Sequence, residues 1–245
     1  MDLKEKRCLV TGGSRGLGLA ICTALAEAGA QVAFTFSRNI RDAEAAEAKI
    51  AKAGKPPLVF QGSVADAAHV HKTVAELVSK WNGIDVLINN AGITQILPVA
   101  LIDEADWDMV MDTNAKGAFL FSRAVLKNMI RAKSGHILNI GSFSSERIVD
   151  APVHYAASKS ALRGMTEAMA REVGRYNIKV NLLAPGLMDV GFSQALPQHR
   201  MTEYLSQCPM KKLGSADEVA QMVLFLVSDR NSFMAGSKIA VDGGL

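Results

Sequence analysis

The sequence has little of what marks several specialised protein classes. Its three cysteines, Cys8, Cys22 and Cys208, do not pair at the spacing of a zinc site or a redox motif. Its five histidines are scattered, and the formal net charge is only +3, with acidic and basic residues intermixed. We therefore expect no metal site. The charge pattern also lacks the stripe that is typical of a nucleic-acid-binding surface or a polybasic membrane segment.

Long apolar runs are also missing. None reaches the length that a membrane span requires, and the charged stretch at residues 1–7 leaves no room for the apolar core of a signal peptide. The apolar fraction of 49% over 245 residues is nevertheless ample for one large core. The sequence therefore predicts a soluble cytoplasmic protein with a single domain over residues 1–245.

What the chain does contain is a regular alternation of apolar strand patterns with helical patterns. The strand patterns occupy residues 8–10, 31–35, 57–60, 84–88, 137–141, 178–183 and 237–241. Continuous apolar strands separated by helices are typical of a parallel sheet covered on both faces. We predict an α/β fold: a doubly wound, Rossmann-type parallel sheet of about seven strands in a three-layer α/β/α arrangement. Residues 187–212 have no clean period, and we expect them to form a mobile substrate lid.

A glycine-rich turn, TGGSRGLG at residues 11–18, joins the first strand to the first helix. In a Rossmann fold this is where backbone N–H groups at a helix N-terminus bind a pyrophosphate. The glycine spacing is GxxxGxG instead of the commoner GxGxxG, so the motif alone is weakly specific. Its position at the first crossover favours a dinucleotide site. The expected contacts are Gly12, Ser14, Arg15, Gly16 and Leu17.

The end of the second strand indicates which nicotinamide cofactor is used. NAD-binding Rossmann proteins carry an acidic residue there, which binds the ribose 2′-hydroxyl, whereas an arginine accommodates a 2′-phosphate. Residues 31–39 contain no acid but include Ser37 and Arg38, and Arg15 of the glycine turn could reach the same phosphate. We predict NADP(H). The alternative is that both arginines are ordinary solvated surface residues.

A second group of residues could transfer a proton to a carbonyl oxygen. Ser142 follows an apolar strand, and Tyr155 and Lys159 come next in a predicted helix. Residues four apart lie on one helix face, so the phenol and the ammonium are neighbours. The pKa of a free tyrosine is near ~10, and an adjacent cation favours its ionised form. Together these three side chains can bind a carbonyl oxygen and protonate it.

With these motifs in this order, the chain resembles the short-chain dehydrogenase/reductase family over essentially its whole length. The resemblance rests on residues 12–18, the NNAG segment at 89–92, Asn114, Ser142, Tyr155, Lys159 and the pair at 185–186. Within the family the chain is most similar to the β-ketoacyl-(acyl-carrier-protein) reductases, because of its TGGSRG, NNAGIT and VDGG segments.

The resemblance implies a role for each of four residues. Tyr155 is the acid that protonates the substrate oxygen, and Ser142 orients that oxygen and stabilises charge on it. Lys159 lowers the pKa of the tyrosine and binds the nicotinamide ribose, while Asn114 holds a water that links the lysine to solvent. Further cofactor contacts implied in the same way are Ser63, Val64, Asn90, Ala91, Gly92, Ile140, Tyr155, Lys159, Pro185, Gly186 and Met188. Taken singly, each residue has an ordinary structural interpretation; in combination and in order they favour the catalytic one.

Two positions depart from the family pattern. Ser63 stands where the family often has an Asp or Asn that binds adenine, and a hydroxyl can still bond the adenine amino group. Val190 stands where a threonine commonly bonds the nicotinamide carboxamide, and valine cannot hydrogen-bond. Cofactor orientation should then depend on backbone groups near Met188.

Fewer residues are predicted to contact the substrate than to contact the cofactor. Gln95, Ser142, Phe143 and Tyr155 are the residues that we expect to contact the substrate. The segment 187–212 is apolar and rich in methionine, which suits a lipid-like substrate. A loop that simply packs on the domain explains its composition equally well.

Two surfaces indicate possible partners. Lys133 matches a basic docking position of the resembled reductases, and Arg131 ends a basic stripe on the preceding helix. The second docking position holds Tyr176, with Arg175 beside it, so an acidic acyl-carrier protein could dock near Arg131, Lys133 and Arg175 beside the cleft. A plain solvated basic face is the alternative. The helix over residues 154–175 is apolar around too much of its circumference for a one-sided surface helix. We predict a homo-oligomer, and the resemblance implies a homotetramer.

The leading hypothesis is an NADPH-dependent oxidoreductase that reduces a ketone to a hydroxyl. Its substrate would be a 3-oxoacyl-(acyl-carrier-protein) thioester, reduced to the 3-hydroxyacyl thioester in fatty-acid or related acyl or polyketide biosynthesis. One alternative is a short-chain reductase or dehydrogenase of another carbonyl or alcohol, such as a polyketide, sugar or steroid-like compound. Another is a catalytically idle cofactor-binding partner subunit, against which the intact set of catalytic residues argues.

Overall fold

Seven short apolar stretches of the chain form one parallel sheet. The computed structural model describes residues 2–147 and 149–245. The strands are β1 Arg7–Thr11, β2 Gln31–Phe36, β3 Leu58–Gln61, β4 Val86–Asn89, β5 Gly135–Ile140, β6 Ile178–Pro185 and β7 Lys238–Val241. They lie in the order β3-β2-β1-β4-β5-β6-β7, and each neighbouring pair is parallel. The predicted doubly wound, seven-stranded fold is confirmed.

Helices cover both faces of this sheet. They are α1 Gly16–Glu27, α2 Ile40–Ala53, α3 Ala67–Trp81, α4 Glu104–Met111, α5 Gly117–Ala132, α6 Val153–Val173, α7 Gln198–Gln207 and α8 Ala216–Val227. Ile21 of α1 and Val223 of α8 are fully buried in the core on one face, and Leu77 of α3 and Phe121 of α5 on the other. Within the described ranges, no helix combines the length and the apolar character that a membrane crossing requires.

The long helix predicted from Asp103 to about residue 130 is interrupted. Asp103 does cap its start, because its carboxylate accepts from the backbone N–H of Asp106 at 2.8 Å. A π-helical turn at Asp112–Lys116 then separates α4 from α5. Such turns insert an extra residue into a helix and are frequent at functional sites. Here the turn contains Asn114, one of the predicted catalytic residues.

Residues 187–212 contain a helix that the sequence analysis did not predict. Helix α7 packs through Tyr204, which is 8% exposed and forms a small core with Leu187 and Cys208. The signal was present, because Met201, Tyr204, Leu205 and Cys208 follow the i, i+3, i+4, i+7 spacing of an apolar helix face. Pro197 precedes the helix. The first turn of the helix is polar, so the apolar spacing begins only at Met201.

Candidate active site

The carboxyl ends of the central strands gather the predicted residues at one edge of the sheet. Strand order reverses at β1, which lies between β2 and β4, and open α/β sheets bind ligands in the crevice at such a switch point. The glycine turn follows β1, the NNAG segment begins at the end of β4, Ser142 follows β5, and Pro185 ends β6. The predicted cofactor-binding and proton-transfer groups therefore share one edge.

Tyr155 and Lys159 lie close together on α6, near its N-terminus. The Lys159 Nζ is 5.7 Å from the centre of the Tyr155 ring. It also donates a hydrogen bond to the backbone oxygen of Ile140 at 2.8 Å. Only 4% of the lysine surface is exposed. The phenol and the ammonium are neighbours, as the four-residue spacing predicts.

Burial governs the protonation of both groups. It raises the pKa of Tyr155, and a hydrogen bond with Ser142 offsets only part of that rise. It also lowers the pKa of Lys159 from 10.5 to about 8, so the ammonium is mostly charged at neutral pH. The lowering of the tyrosine pKa by Lys159 stays a prediction, and burial acts in the opposite direction. The phenol is held in its protonated form, which is the form that can donate a proton.

Ser142 lies immediately beyond β5 and is 5% exposed. Its Oγ accepts hydrogen bonds from the backbone N–H of Ser144 at 3.2 Å and from the Ser144 hydroxyl at 2.9 Å. The Ser145 hydroxyl donates to the backbone oxygen of Ser142 at 2.7 Å. Because its neighbours supply donors to the Ser142 oxygen, the Ser142 proton can be donated to Tyr155 or to a substrate oxygen.

Asn114 is 1% exposed in the π turn. Its Oδ1 accepts from the backbone N–H of Ile93 at 2.8 Å, and its amide donates to the Ile93 oxygen and to the Ser158 hydroxyl, both at 2.9 Å. The side chain therefore ties the loop after β4 to α6. A Cβ built on Gly92 would lie 3.4 Å from both Asn114 Oδ1 and Lys159 Nζ, so the two groups face the same space. The water relay between them stays a prediction.

Thr11 and Asn90 hold the glycine turn against the end of β4. The Thr11 hydroxyl oxygen accepts from the backbone N–H groups of Asn90 and Ala91, both at 3.0 Å. The Asn90 amide donates to the backbone oxygens of Thr11 and Gly12, both at 3.0 Å. Asn90 and Ala91, predicted as cofactor contacts, thus shape the turn itself. Thr11 was not among the predicted site residues, although a hydroxyl at the end of a buried strand was an available signal.

The N-terminus of α1 has the shape and charge that a pyrophosphate requires. Gly12 and Gly16 have φ angles of +69° and +53°, and a Cβ on Gly16 would meet nothing within 4 Å. A Cβ on Gly18 would lie 2.1 Å from the Gly12 oxygen, so this glycine permits close packing of helix and turn. Backbone N–H groups and the helix dipole favour an anion here. The turn therefore fits a dinucleotide, with Ser14 and Leu17 as expected backbone contacts.

The groups expected to select the cofactor lie around this turn. Arg15, Ser37 and Arg38 are exposed, the last two directly after β2. Ser63 is also exposed, and its Oγ accepts from the backbone N–H of Ala65 at 3.2 Å. Val64 is buried. Both guanidinium groups are thus on the surface beside the expected ribose site, which fits the prediction of a 2′-phosphate.

Backbone hydrogen bonds fix the chain after β6. The N–H of Gly186 donates to the Val241 oxygen at 2.9 Å. Val190 is partly buried, in the place where the family pattern has a hydrogen-bonding threonine. Three residues further on, the buried Ser193 hydroxyl donates to the backbone oxygens of Met188 and Val190. This hydroxyl rigidifies the backbone near Met188, which is the group that we expect to orient the nicotinamide.

Two aromatic rings from the segment 187–212 contact predicted site residues, one at Tyr155 and one at Phe143. Phe192 stacks on Tyr155, with ring centres 5.9 Å apart and an angle of 23° between the planes. Phe143 meets Tyr204 of α7 edge-on at 5.7 Å. Phe143 thus lies where the sequence placed it, beside Ser142. Phe192 is an additional pocket residue that the sequence analysis counted only as part of the lid.

Gln95, predicted as a substrate contact, has both ends of its amide engaged. Its oxygen lies 3.3 Å from His154 Nε2, and its nitrogen donates to Asp106 Oδ1 at 2.6 Å. A direct polar contact through Gln95 would require one of these bonds to break. The neighbouring Thr94 hydroxyl is buried and has no hydrogen-bond partner among residues 2–147 and 149–245.

The basic residues predicted to dock a carrier protein lie at the other edge of the sheet. Arg131 and Lys133 immediately precede β5, and Arg175 precedes β6, so all three are at the amino ends of the strands. They are exposed, and the Arg175 guanidinium lies 5.2 Å from the Tyr176 ring. Ser142 is at the opposite end of β5, roughly 20 Å away across six residues. Within one protomer these residues therefore lie away from Ser142, and the docking of a carrier protein on them stays a prediction.

Relatives of known sequence match the whole chain. The family described as enoyl-(acyl carrier protein) reductase matches residues 12–245. A 3-oxoacyl-[acyl-carrier-protein] reductase of Thermotoga maritima is 37% identical over 246 residues, covering 100% of this chain and 99% of the relative. The corresponding reductase of Staphylococcus aureus is 36% identical over 240 residues, covering 98% of each.

Solved structures also match nearly the whole chain. A putative short-chain alcohol dehydrogenase of Sinorhizobium meliloti matches with a TM-score of 0.92 and 36% identity, over 99% of this chain and 96% of that one. A short-chain dehydrogenase/reductase of Serratia marcescens, solved as a mutant, matches with a TM-score of 0.93 and 32% identity, over 100% and 99% of the two chains. The chain therefore belongs to the short-chain dehydrogenase/reductase family of oxidoreductases.

Proposed function

We propose that the protein is an NADPH-dependent reductase that converts a 3-oxoacyl thioester into the 3-hydroxyacyl thioester. The observation that carries this proposal is the hydrogen bond between the Tyr155 phenol and Ser142 at the carboxyl edge of the sheet. That pair can bind one carbonyl oxygen and protonate it. The names of the Thermotoga and Staphylococcus relatives support the 3-oxoacyl substrate.

Each catalytic side chain has one task in this proposal. Ser142 donates a hydrogen bond to the ketone oxygen and holds it against Tyr155. As negative charge develops on that oxygen, Tyr155 transfers its phenolic proton to it. The nearby Lys159 ammonium stabilises the phenolate that remains. A nicotinamide bound at this edge of the sheet would supply the hydride for the carbonyl carbon.

NADP(H) is the cofactor that the exposed arginines support. A 2′-phosphate carries negative charge, and the guanidinium groups of Arg15 and Arg38 can bind it with paired hydrogen bonds. The open backbone at Gly16 and the α1 N-terminus bind the pyrophosphate. The family relationship supports a nicotinamide cofactor in general, and the two arginines support its phosphorylated form.

The proposed assembly is a homotetramer, and it explains how a carrier protein could use the distant basic patch. The outward side of α6 includes Gly164, whose Cβ would meet nothing within 4 Å, and Val153, which is 46% exposed. If two copies pack these helices antiparallel, the end of α6 near Arg175 in one copy lies near the active site of the other. An acidic carrier protein would then dock on one subunit and deliver its acyl chain to the next.

The test is a turnover assay with matched substrates and cofactors. NADPH oxidation is followed by absorbance with acetoacetyl and longer 3-oxoacyl thioesters, both free and carrier-bound, and then with NADH in place of NADPH. We expect turnover of 3-oxoacyl thioesters with NADPH and a loss of roughly 100-fold or more in the Tyr155→Phe variant, because the proton donor is removed. No turnover of any 3-oxoacyl thioester would refute the substrate, and a fully active phenylalanine variant would refute the mechanism.

An enoyl thioester belongs in the same assay, because the matching family is described by enoyl reduction. Reduction of a carbon–carbon double bond ends with a proton on carbon, whereas Ser142 and Tyr155 are both placed to serve an oxygen. We therefore expect the 3-oxoacyl substrate to react faster than the enoyl substrate of equal chain length. The opposite order would assign the site to enoyl reduction.

A further inference from the structure

A buried histidine directly precedes the catalytic tyrosine. His154 is fully buried, with 0% of its surface exposed. Its Nδ1 accepts a hydrogen bond from the backbone N–H of Tyr155 at 3.0 Å, and its Nε2 lies 3.3 Å from the Gln95 side-chain oxygen. The Gln95 amide nitrogen in turn donates to Asp106 Oδ1 at 2.6 Å. The three side chains form one continuous hydrogen-bonded chain.

The direction of every bond in this chain is determined by its two ends. A backbone N–H can only donate, so His154 Nδ1 must be unprotonated. In a neutral imidazole the proton then lies on Nε2 and is donated to the Gln95 oxygen. The Gln95 nitrogen is left to face Asp106, whose ionised carboxylate can only accept. One tautomer of histidine and one orientation of the amide satisfy all three groups.

The start of α6 explains why a side chain is needed here. The first N–H groups of a helix have no partner within the helix. Residue Pro152 stands at the N-cap, and proline has no side-chain acceptor. The backbone oxygen of Pro152 accepts a hydrogen bond from the N–H of Ala156 at 2.9 Å. His154 takes the N–H of Tyr155, so it fixes the backbone that carries the proton donor.

The other end of the chain fixes the loop after β4. This loop passes Gly92 and the buried Thr94 hydroxyl, so it forms a wall of the candidate pocket. Gln95 is held from two sides, by His154 of α6 and by Asp106 of α4. The loop after β4, α4 and α6 are thus joined by side-chain hydrogen bonds.

We propose that His154, Gln95 and Asp106 form a positioning relay that holds the Tyr155 phenol in register with Ser142 and with the pocket wall. The proposal rests on the proposed function, because it assigns the relay to the step in which Tyr155 donates its proton. His154 itself touches neither the substrate oxygen nor the cofactor site; it acts through the backbone of Tyr155. Burial supports the neutral form, since it lowers the pKa of His154, while Asp106 only partly opposes this.

Four substitutions distinguish misplacement of the Tyr155 phenol from a general loss of folding. His154→Phe keeps the ring volume and removes both nitrogens, and Gln95→Leu removes the middle link. Asp106→Asn keeps an oxygen acceptor for Gln95 and is the conservative rescue. His71→Asn, on the exposed side of α3, is the matched histidine control. Each variant is first checked for its circular dichroism spectrum, melting temperature and NADPH dissociation constant.

We expect His154→Phe and Gln95→Leu to lower kcat by roughly 10- to 100-fold, because small misplacements of a reacting group are costly. The NADPH dissociation constant should stay within about twofold, since the glycine turn is untouched. Asp106→Asn and His71→Asn should keep kcat near that of the natural chain. If both folded relay variants keep kcat within about twofold, the relay has only a structural role and the proposal is overturned.

A second measurement does not depend on turnover. Nitrogen NMR of histidine-labelled protein reports the tautomer of each ring, and the His154→Phe variant assigns its signal among the five histidines. The relay requires the Nε2–H tautomer at neutral pH; an Nδ1–H tautomer or an imidazolium would overturn it. A natural chain that shows this tautomer but reduces no 3-oxoacyl thioester would sink the proposed function and leave the relay geometry intact.

Discussion

Lys159, which we propose to be catalytic, shows how much a single buried charge can destabilise the fold. Its ammonium is almost completely buried, and burial lowers its pKa from 10.5 to about 8. A backbone oxygen, that of Ile140, accepts its hydrogen bond at 2.8 Å. The difference between the folded and unfolded pKa corresponds to roughly 3 kcal/mol of unfavourable free energy while the lysine is charged. We infer that the site is stabilised by the rest of the fold and not by its own residues.

The first residue-scale prediction is that Lys159→Met stabilises the protein while abolishing turnover. Below pH 8 the lysine is charged in both states, so the full penalty applies; above about pH 10.5 it is neutral in both and the penalty vanishes. Methionine fills a similar volume but loses the bond to Ile140, which offsets about 1 kcal/mol. We expect a gain of about 1–3 kcal/mol in the free energy of unfolding at pH 7, shrinking by pH 9.5.

Urea denaturation at both pH values measures this gain directly. Lys49→Met, at an exposed position on α2, is the control for replacing a lysine by methionine. Only the difference that depends on pH reports the buried ammonium, because all other titrating groups are shared by the variants. A Lys159→Met protein that is less stable than the natural chain at pH 7 would contradict the argument.

Sequence spacing predicted the catalytic residues but not their surroundings. Four-residue spacing is enough to place Tyr155 beside Lys159, since helix geometry is local. The direction of the shift in the tyrosine pKa depends on burial by other elements, and here burial outweighs the hydrogen bond with Ser142. The engagement of Gln95 likewise depends on Asp106 and His154, which come together only in the folded chain. Spacing along the chain therefore predicts contacts within one helix, whereas contacts between elements are known only from the folded structure.

At the scale of elements, the segment 187–212 is a structured cover and not an irregular loop. It contains α7, whose Tyr204 hydroxyl accepts a hydrogen bond from the backbone N–H of Leu187 at 3.0 Å. This bond ties the helix to the chain that leaves β6. Before α7, Phe192 lies against the Tyr155 ring. The segment thus reaches the catalytic tyrosine through one aromatic contact that rests on a packed helix.

The element-scale prediction concerns that contact. Phe192→Ala removes the ring stacked on Tyr155, and an aromatic pair contributes about 0.5–1.5 kcal/mol beyond its buried area. We expect kcat/KM for a 3-oxoacyl thioester to fall roughly 2- to 10-fold, with an unchanged dissociation constant for NADPH. Steady-state kinetics and a cofactor titration measure the two quantities.

Its controls test whether stacking or mere bulk is responsible. Phe192→Tyr keeps the stacked ring and should stay within about twofold of the natural chain. Phe233→Ala removes a side chain that is 97% exposed and should not change kcat/KM. A Phe192→Ala enzyme with undiminished kcat/KM would show that the segment covers the tyrosine without helping it.

The elements themselves were predictable to different degrees. Periodicity placed α8 at residues 216–227, because its apolar face and its Ser215–Glu218 capping box are local signals. The π turn at Asp112–Lys116 has no such signal, since one inserted residue does not change the apolar pattern on either side of it. Yet that turn presents Asn114 to the site. A predicted catalytic residue therefore lies in an irregular turn that the sequence did not predict.

At the scale of the whole molecule, the proposed active site and the proposed docking patch lie at opposite edges of the sheet in one protomer. The catalytic residues lie beyond the carboxyl ends of the strands, while Arg131, Lys133 and Arg175 lie before their amino ends. Helix α6 connects the two edges, with Tyr155 near its first residue and Arg175 just past its last. Its 21 residues span roughly 30 Å. Two such helices packed antiparallel would bring each basic patch to the other copy's active site.

Gly164, in the middle of α6, offers a clean test of that assembly. A Cβ there would meet nothing within 4 Å, so Gly164→Lys causes no clash inside the protomer, and it raises helix propensity by about 0.5–1 kcal/mol. In an antiparallel pair, however, the lysines would face each other and the partner helix in a closely packed interface. We expect this variant to remain folded but to dissociate. Gln221→Lys, on the exposed side of α8, is the control.

Sedimentation tests whether α6 forms the interface, and kinetics tests whether carrier docking crosses it. The natural chain and Gln221→Lys should sediment as the same oligomer, and Gly164→Lys as a smaller species. The dissociated variant should lose activity on carrier-bound 3-oxoacyl substrate more than tenfold in excess of any loss on the free thioester, because only the former needs the partner's basic patch. Equal losses on both substrates would mean that docking does not cross the interface, and an unchanged oligomer would mean that α6 does not form it.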